Sequence, residues 1–240
     1  MNTIELQNYS QPYLYDSNGT INMLCCYAKK TIFDQFSKQI YSIKPWKIHL
    51  IEDIKNNKIA SKINLPKYVK GYGYVLVECN PCVYSDSSLL TYTCGFKKNP
   101  QSAVYYYVVS IDAEYKNIKV LHRSFNGVLH NGLLYCTSSE NRGKNIDIID
   151  IVSRKKISTN QIIDNASIIR ISKIFDSNKF VVTYCSRKGN NSIILDENLK
   201  KEQNILSGLY KCSIHKNYLA YTTTEPYTEN RSIKIIDNYC

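Results

Sequence analysis

Two short motifs alternate along this chain in fixed order, five times each, and that repetition limits the fold more than any other feature. The first is a hairpin. Tyr13-Leu14-Tyr15 enters the turn Asp16-Ser17-Asn18-Gly19 and leaves along Ile21 to Tyr27. The same plan recurs around the turns at Ser85 to Ser88, His130 to Gly132, Asp176 to Lys179 and His215 to Asn217. These turns carry residues that accept a positive φ or hydrogen-bond their own backbone. The second motif is an apolar strand closed by an aspartate, as in Ile146-Asp147-Ile148-Ile149-Asp150, with copies ending at Asp53, Asp112, Asp196 and Asp237. Helical periodicity is nearly absent, and the runs alternate as strands do.

The apolar hairpin positions Leu24, Leu90, Leu134, Val182 and Leu219 lie 66, 44, 48 and 37 residues apart, and 45 residues close the circle back to Leu24. A period of about 40–50 residues with four strands per unit is the mark of a β-propeller. The fifth unit stops at Asp237 without an outer strand, while Thr3-Ile4-Glu5-Leu6 is a strand without a hairpin. The fold expected is therefore all-β: a five-bladed β-propeller, 1–240 as a single domain, with the last blade closed by the N-terminal strand. The blades are expected at about 11–66, 73–122, 124–164, 165–206, and 207–239 completed by 2–8.

Composition narrows the function classes. A hydrophobic share of 43% excludes disorder, and no apolar run is long enough to cross a membrane as a helix. The segment Met1 to Asn8 lacks a basic and apolar leader, so no secretory signal is expected. The excess of 31 Lys and Arg over 20 Asp and Glu gives +11 and favours anionic partners. Codon bias toward Ile, Asn, Lys and Tyr explains the same excess. Nine cysteines, an odd number, suit buried free thiols in a reducing cytoplasm. Cys79-Asn80-Pro81-Cys82 has no second pair at zinc-ribbon spacing, no His/Asp/Glu set has metal spacing, and no cofactor is expected. Gly71-Tyr72-Gly73-Tyr74 precedes a strand and is not a phosphate loop.

In a propeller the first strands line a central channel, and their starting ends share a face with the exits of the second strands. That geometry nominates Gln11, Tyr13, Tyr27, Asn80, Phe96, Arg123, Asn126, Arg142, Arg170, Arg187 and Lys211 as ligand-binding residues. Amides would bind hydroxyls, aromatic rings would stack, and arginines would fork onto anions. Glu78, Glu140, Glu225 and His122 are the candidates for acid–base work near that mouth. The repeated aspartates cap turns and are read as structural.

Gln11-Pro12-Tyr13-Leu14-Tyr15 followed by Asn18-Gly19 and Ile21 to Tyr27 resembles the first-blade signature of five-bladed furanosidase-type glycosidases of families 43 and 32. Asn80-Pro81-Cys82-Val83-Tyr84 with Leu90 to Thr93 is similar to its second copy. The resemblance implies a saccharide site in the central funnel, with an Asp before the first proline as nucleophile or base, another on the next blade, and a Glu as acid. This chain has Gln11 and Asn80 at those two positions. Glycoside hydrolysis uses two carboxyl groups, one protonated and one ionised, and an amide replaces neither.

The function expected is recognition or processing of an anionic carbohydrate, such as a sugar phosphate, nucleotide sugar or acidic glycan. A protein-interaction scaffold is the alternative. Nucleic-acid binding comes third, because the longest basic run is Arg154-Lys155-Lys156.

Overall fold

The alternation of the sequence becomes five antiparallel sheets arranged as the blades of a propeller. The structure, a computed structural model, describes residues 3–27, 31–34, 39–42, 47–56, 58–63, 66–84, 89–99, 101–112, 118–138, 143–164, 166–205, 208–224 and 231–239. Among them every regular element is a strand.

The chain opens with β1 (Thr3–Gln7) and then builds blade 1 from β2 (Tyr9–Ser17) and β3 (Thr20–Tyr27). A separate hairpin of β4 (Thr31–Asp34) and β5 (Gln39–Ser42) intervenes before β6 (Lys47–Glu52) and β7 (Lys58–Ile63) complete that blade. This excursion accounts for the long first interval of the repeat. Blade 2 consists of β9 (Gly73–Tyr84), β10 (Leu89–Lys97), β11 (Tyr105–Asp112) and β12 (Ile118–Arg123), and a short β8 (Tyr68–Val69) pairs with the start of β9. Blade 3 runs β13 (Gly127–His130), β14 (Leu133–Thr137), β15 (Asn145–Asp150) and β16 (Lys156–Gln161). Blade 4 runs β17 (Ser167–Lys173), β18 (Phe180–Ser186), β19 (Gly189–Leu195) and β20 (Lys201–Asn204). Blade 5 has β21 (Tyr210–His215), β22 (Tyr218–Thr224) and β23 (Arg231–Asp237), and β1 is its outer strand.

The closure is antiparallel, from Thr3 opposite Ile236 to Gln7 opposite Ser232. The Asn8 N–H donates to the Arg231 carbonyl at 2.7 Å, and the Ser232 hydroxyl donates to the Glu5 carboxylate at 2.6 Å. Leu6 is buried in a cluster with Ile233 and Ile235. A strand from one end of the chain thus covers an edge that would otherwise be a template for association.

Because each blade is covered on both faces, a strand's two side-chain rows enter two different cores. In β3, Leu24 and Cys26 join the large cluster shared with blades 2, 3 and 4, whereas Met23 and Cys25 join the cluster shared with blade 5. In β18, Phe180 and Val182 join the large cluster and Val181 faces the one shared with blade 5. Burial pushes the Cys25 thiol well up and the Cys136 thiol up to about 12, so these cysteines behave as small hydrophobes. The side chains of Cys79 and Cys82 lie outside the described residues. Where blades 2 and 3 meet, a Cβ on Gly127 would stand 2.9 Å from that of Cys136 and 3.0 Å from Val108 Cγ2, so only glycine allows the approach. The turn aspartates cap: Asp150 accepts from the N–H groups of Val152 and Ser153, and Asp196 accepts from that of Lys200.

Burial also sets the pH response. His122, His130 and His215 are each pushed below the ordinary imidazole pKa, chiefly by desolvation. Lys173 adds to the shift at His130 and Lys216 adds at His215, while Asp147 opposes it at His122. As pH falls through about 6.5, the unfolded chain therefore binds more protons than the folded one, and stability is lost. Asp16 and Asp150 are held below the usual carboxylate range, by Lys216 and by the backbone N–H of Ser153 respectively, so their contribution is lost only at lower pH. The Tm is expected to fall on going from pH 7 to pH 5, and a His130→Gln, His215→Gln double variant should show a shallower fall. A melting series flat across that interval would contradict this assignment.

Candidate functional site

The first strands begin with the same irregularity in four blades. Register shifts fall at Ser10/Tyr13 in blade 1, between Cys79 and Cys82 opposite Thr93 and Thr91 in blade 2, at Ile168/Arg170 in blade 4 and at Tyr210/Ser213 in blade 5. Each is a bulge that turns backbone groups toward neighbouring blades. Gln11 and Lys211 take positive φ values of 58° and 53° there.

Arg170 reaches across these bulges. Its side chain is 1% exposed, and Nη2 donates to the Pro12 carbonyl at 2.7 Å while Nη1 donates to that of Lys211 at 3.1 Å. One guanidinium from blade 4 thus joins the first strands of blades 1 and 5. Asn126 does the same between blades 3 and 4: Nδ2 donates to the Ile169 carbonyl and Oδ1 accepts the Ile171 N–H, both at 3.1 Å. The Gln11 N–H donates to Thr222 Oγ1 at 2.9 Å, and the Gln11 side chain is buried. Three polar residues nominated from the sequence therefore meet around the axis, as a buried lattice that ties blades together.

The other nominated residues occupy different surroundings. Tyr13 and Phe96 are fully buried, and Phe96 packs against Tyr72 and Tyr107. Tyr27 is half-buried and stacks on His49 at 4.8 Å between ring centroids. That histidine also meets Tyr9, whose hydroxyl lies 3.1 Å from His49 Nδ1. Burial, with lesser contributions from Cys25 and Tyr27, pushes the Tyr9 phenol up to about 12. Arg187 is exposed at the β18–β19 turn, and Lys211 is half-buried. Glu140, Arg142 and Glu225 lie outside the described residues, as do the side chains of Glu78 and Asn80, whose backbones belong to β9. Among the described residues no three His, Cys, Asp or Glu side chains gather closely enough to hold a metal, and no helix is long and apolar enough to cross a membrane.

Arg123 marks a different place. The strands of blade 2 are long, with 12 residues in β9 against four in β13, so blade 2 is extended at its mouth end. There the start of β11 and the link from blade 2 to blade 3 enclose a groove of about 320 Å³, lined by Val104, Tyr105, Tyr106, Arg123, Ser124 and Phe125. Phe125 is 62% exposed and Tyr105 41% exposed. The Arg123 guanidinium carbon sits 4.3 Å from the Tyr105 ring centroid, a cation–π contact that leaves the N–H edges of the fork available. Phe125 leans on Tyr106 with centroids 5.2 Å apart. Ser124 is fixed beneath, its N–H on the Tyr106 carbonyl at 3.1 Å and its hydroxyl on the Asn126 carbonyl at 2.9 Å. Arg123 ends the outer strand β12 and Phe125 lies in the link to the first strand β13, the approach to which the channel argument looks. Tyr105 and Tyr106 open a third strand, which that argument does not inspect.

His122 faces a second cleft of about 230 Å³ between blades 2 and 3, with Tyr72, Tyr107, Leu134, Asp150 and Arg154 on its walls. Burial lowers its pKa from the ordinary imidazole value and so favours the neutral ring, able to accept a hydrogen bond.

Five blades and a strand-closed ring define a five-bladed β-propeller. Among solved structures, the chain is similar to Zg3597, a family 117 glycoside hydrolase of the marine bacterium Zobellia galactanivorans. The TM-score is 0.62 at 9% identity, covering 97% of this chain and 85% of that one. It is also similar to a glycosyl hydrolase from Bacteroides ovatus, with a TM-score of 0.53, 8% identity and coverage of 96% and 84% respectively. A β-1,2-mannobiose phosphorylase from Listeria innocua matches with a TM-score of 0.51, 9% identity and coverage of 98% and 90%. At such identities the likeness is one of fold. Neither a family model nor a curated protein matches the sequence.

Proposed function

We propose that this propeller recognises an anionic carbohydrate in the groove at the mouth of blades 2 and 3. The observation that carries the reading is the exposed pair Tyr105 and Phe125, with half-buried Tyr106 beside them and the Arg123 fork laid over the Tyr105 ring. A sugar ring presents an apolar C–H face to an aromatic surface and hydroxyls at its rim, and a guanidinium grips a carboxylate or phosphate in two parallel hydrogen bonds. The fold neighbours named for glycoside hydrolysis and mannobiose phosphorolysis support the substrate class. The amides Gln11 and Asn80, at the positions where the resemblance implies carboxylates, favour binding over hydrolysis.

The test is calorimetric titration with galacturonic acid, glucose 6-phosphate and glucose. The acidic sugars are expected to bind more tightly than glucose. Phe125→Ala should weaken all binding about tenfold, the worth of one lost stacking contact. Arg123→Gln should erase the preference for the charged sugars while leaving the melting temperature within a few degrees. If the folded protein shows no saturable heat with any of the three at millimolar concentration, the reading falls.

A further inference from the structure

We infer that the extended end of blade 2 is a track for an acidic oligosaccharide chain, running from the Phe125 groove out to the β8–β9 hairpin, with a separate ring contact for each of several sugar units. This inference rests on the carbohydrate reading of the same groove and adds the length of the ligand.

The track follows from register. Tyr68 lies opposite Tyr74, and Tyr74 lies opposite Lys97, so the three share one face of the sheet. Gly95 is two residues from Lys97 on β10 and lies opposite Tyr106, which puts Tyr106 on that face as well. The extra residue of the nearby bulge belongs to β9, so the alternation along β10 is unbroken. Gly95 is what lets the face lie open: a Cβ there would stand 3.1 Å from Val104 Cγ1 and 3.2 Å from Tyr106 Cε1. The Tyr106 ring, with Val104 beside it, therefore settles over a bare backbone. Gly73, at φ 105°, supplies the second requirement by turning the chain from β8 into β9 close against the Lys97 backbone, where a Cβ would not fit.

From β8 to β11 the face covers three strand spacings, about 14 Å, before Phe125 extends it further. That is longer than one sugar ring. Tyr68 and Tyr74 are 54% and 53% exposed and meet edge-to-face at 5.3 Å between centroids, a pair of open rings at the far end. Large aromatic side chains rarely stay this exposed without an occupant when they share one face.

Charge points to an acidic occupant. The segments that build this end, 66–75, 95–107 and 120–125, carry Lys67, Lys70, Lys97, Lys98 and Arg123 and not one aspartate or glutamate. A protein partner would prefer a broad, mixed apolar patch. Here Val104 is the one aliphatic side chain among the exposed large apolar residues described in these segments, and Arg123 lies over the Tyr105 ring. Nucleobases stack best on parallel planes, whereas Tyr68 and Tyr74 cross at 70° and Tyr106 and Phe125 at 36°. Sugar units along a twisting chain meet rings set at such differing angles.

A ladder of oligogalacturonides from monomer to pentamer, titrated calorimetrically against the whole protein, tests the inference. Affinity is expected to rise at least tenfold from monomer to trimer and then level off. In a Tyr68→Ala, Tyr74→Ala variant the trimer should lose about tenfold and the ladder should flatten, whereas Tyr74→Phe keeps the ring and should keep the rise. Thermal melts establish that each variant is folded. Equal affinity for monomer and pentamer in the unaltered protein overturns the track and leaves the groove reading intact. Absence of binding at every length overturns both. Displacement of the pentamer by a thymidine decanucleotide at lower concentration than by free pentamer assigns the face to single-stranded nucleic acid and also overturns the inference.

Discussion

Replacing Arg170 with alanine is expected to lower the stability of this propeller by about 3–5 kcal/mol, because hydrogen bonds from a charged donor are worth about 1.5–3 kcal/mol each and two are lost. The carbonyls of Pro12 and Lys211 would be left without these donors in the interior, and blades 1, 4 and 5 would lose their shared tie. For a chain of this size the melting temperature should drop by roughly 10 °C. Arg170→Lys should recover only part of the loss, since one ammonium on a flexible stem does not reproduce a fork that reaches two carbonyls at once. Denaturant unfolding of the three proteins measures the effect. A change below about 1 kcal/mol for the alanine variant would show that the tie is incidental. The same variants separate the axis from the groove: if folded Arg170→Lys protein loses galacturonate binding while its stability is largely kept, the site belongs in the central channel.

Removing residues 1–8 should be still more damaging. It takes away the five-residue pairing with β23, uncovers Ile233 and Ile235, and deletes the buried Leu6. Burial of one leucine is worth about 1.5–3 kcal/mol, and each lost backbone hydrogen bond adds about 0.5–1.5 kcal/mol. The total approaches the 5–15 kcal/mol by which ordinary domains are stable. The shortened chain is expected to unfold at a much lower denaturant concentration and to associate through the bared β23 edge. A peptide spanning residues 1–8, added in excess, should restore monodisperse behaviour by adding the strand back. Leu6→Asp offers a milder form of the same disruption. A monomeric, equally stable truncated protein would show that the ring does not depend on this closure.

The ring was legible in the sequence because its turns are chemically explicit. Asn18-Gly19, Asn131-Gly132 and Asp176 announce hairpins wherever they stand, and Thr3 to Leu6 is conspicuous as a strand lacking a companion. The site was only partly legible. Arg170 and Asn126 can be assigned to first strands, yet their partners are main-chain carbonyls and N–H groups, which carry no residue signature. That is why Arg170 and Asn126, nominated as ligand-binding residues, are found holding main-chain groups of neighbouring blades. Tyr13 and Phe96 illustrate a related blind spot: alternation identifies a strand, and with both faces of a blade covered it does not tell an inward ring from an open one. Tyr74, Tyr105 and Tyr106 look in the sequence like ordinary packing tyrosines. Tyr74 and Tyr105 are exposed, and Tyr106 half-buried beside the bare backbone of Gly95, because β9, β10 and β11 run long, and strand length was the least visible quantity in the sequence.

The two-sided burial of the second strands has a consequence for how this molecule finds its alignment. In a sandwich, sliding a strand by one position brings oil to the water side and is punished at once. In β3 or β18 the same slide would merely exchange one greasy neighbour for another. The guard against misthreading therefore resides in the corners, where Asn18, Asn131, Asp176 and Lys216 hold left-handed backbone angles of 54°, 49°, 55° and 50°. A propeller built this way keeps its teeth in mesh through a handful of small hinges between the first and second strands of its blades.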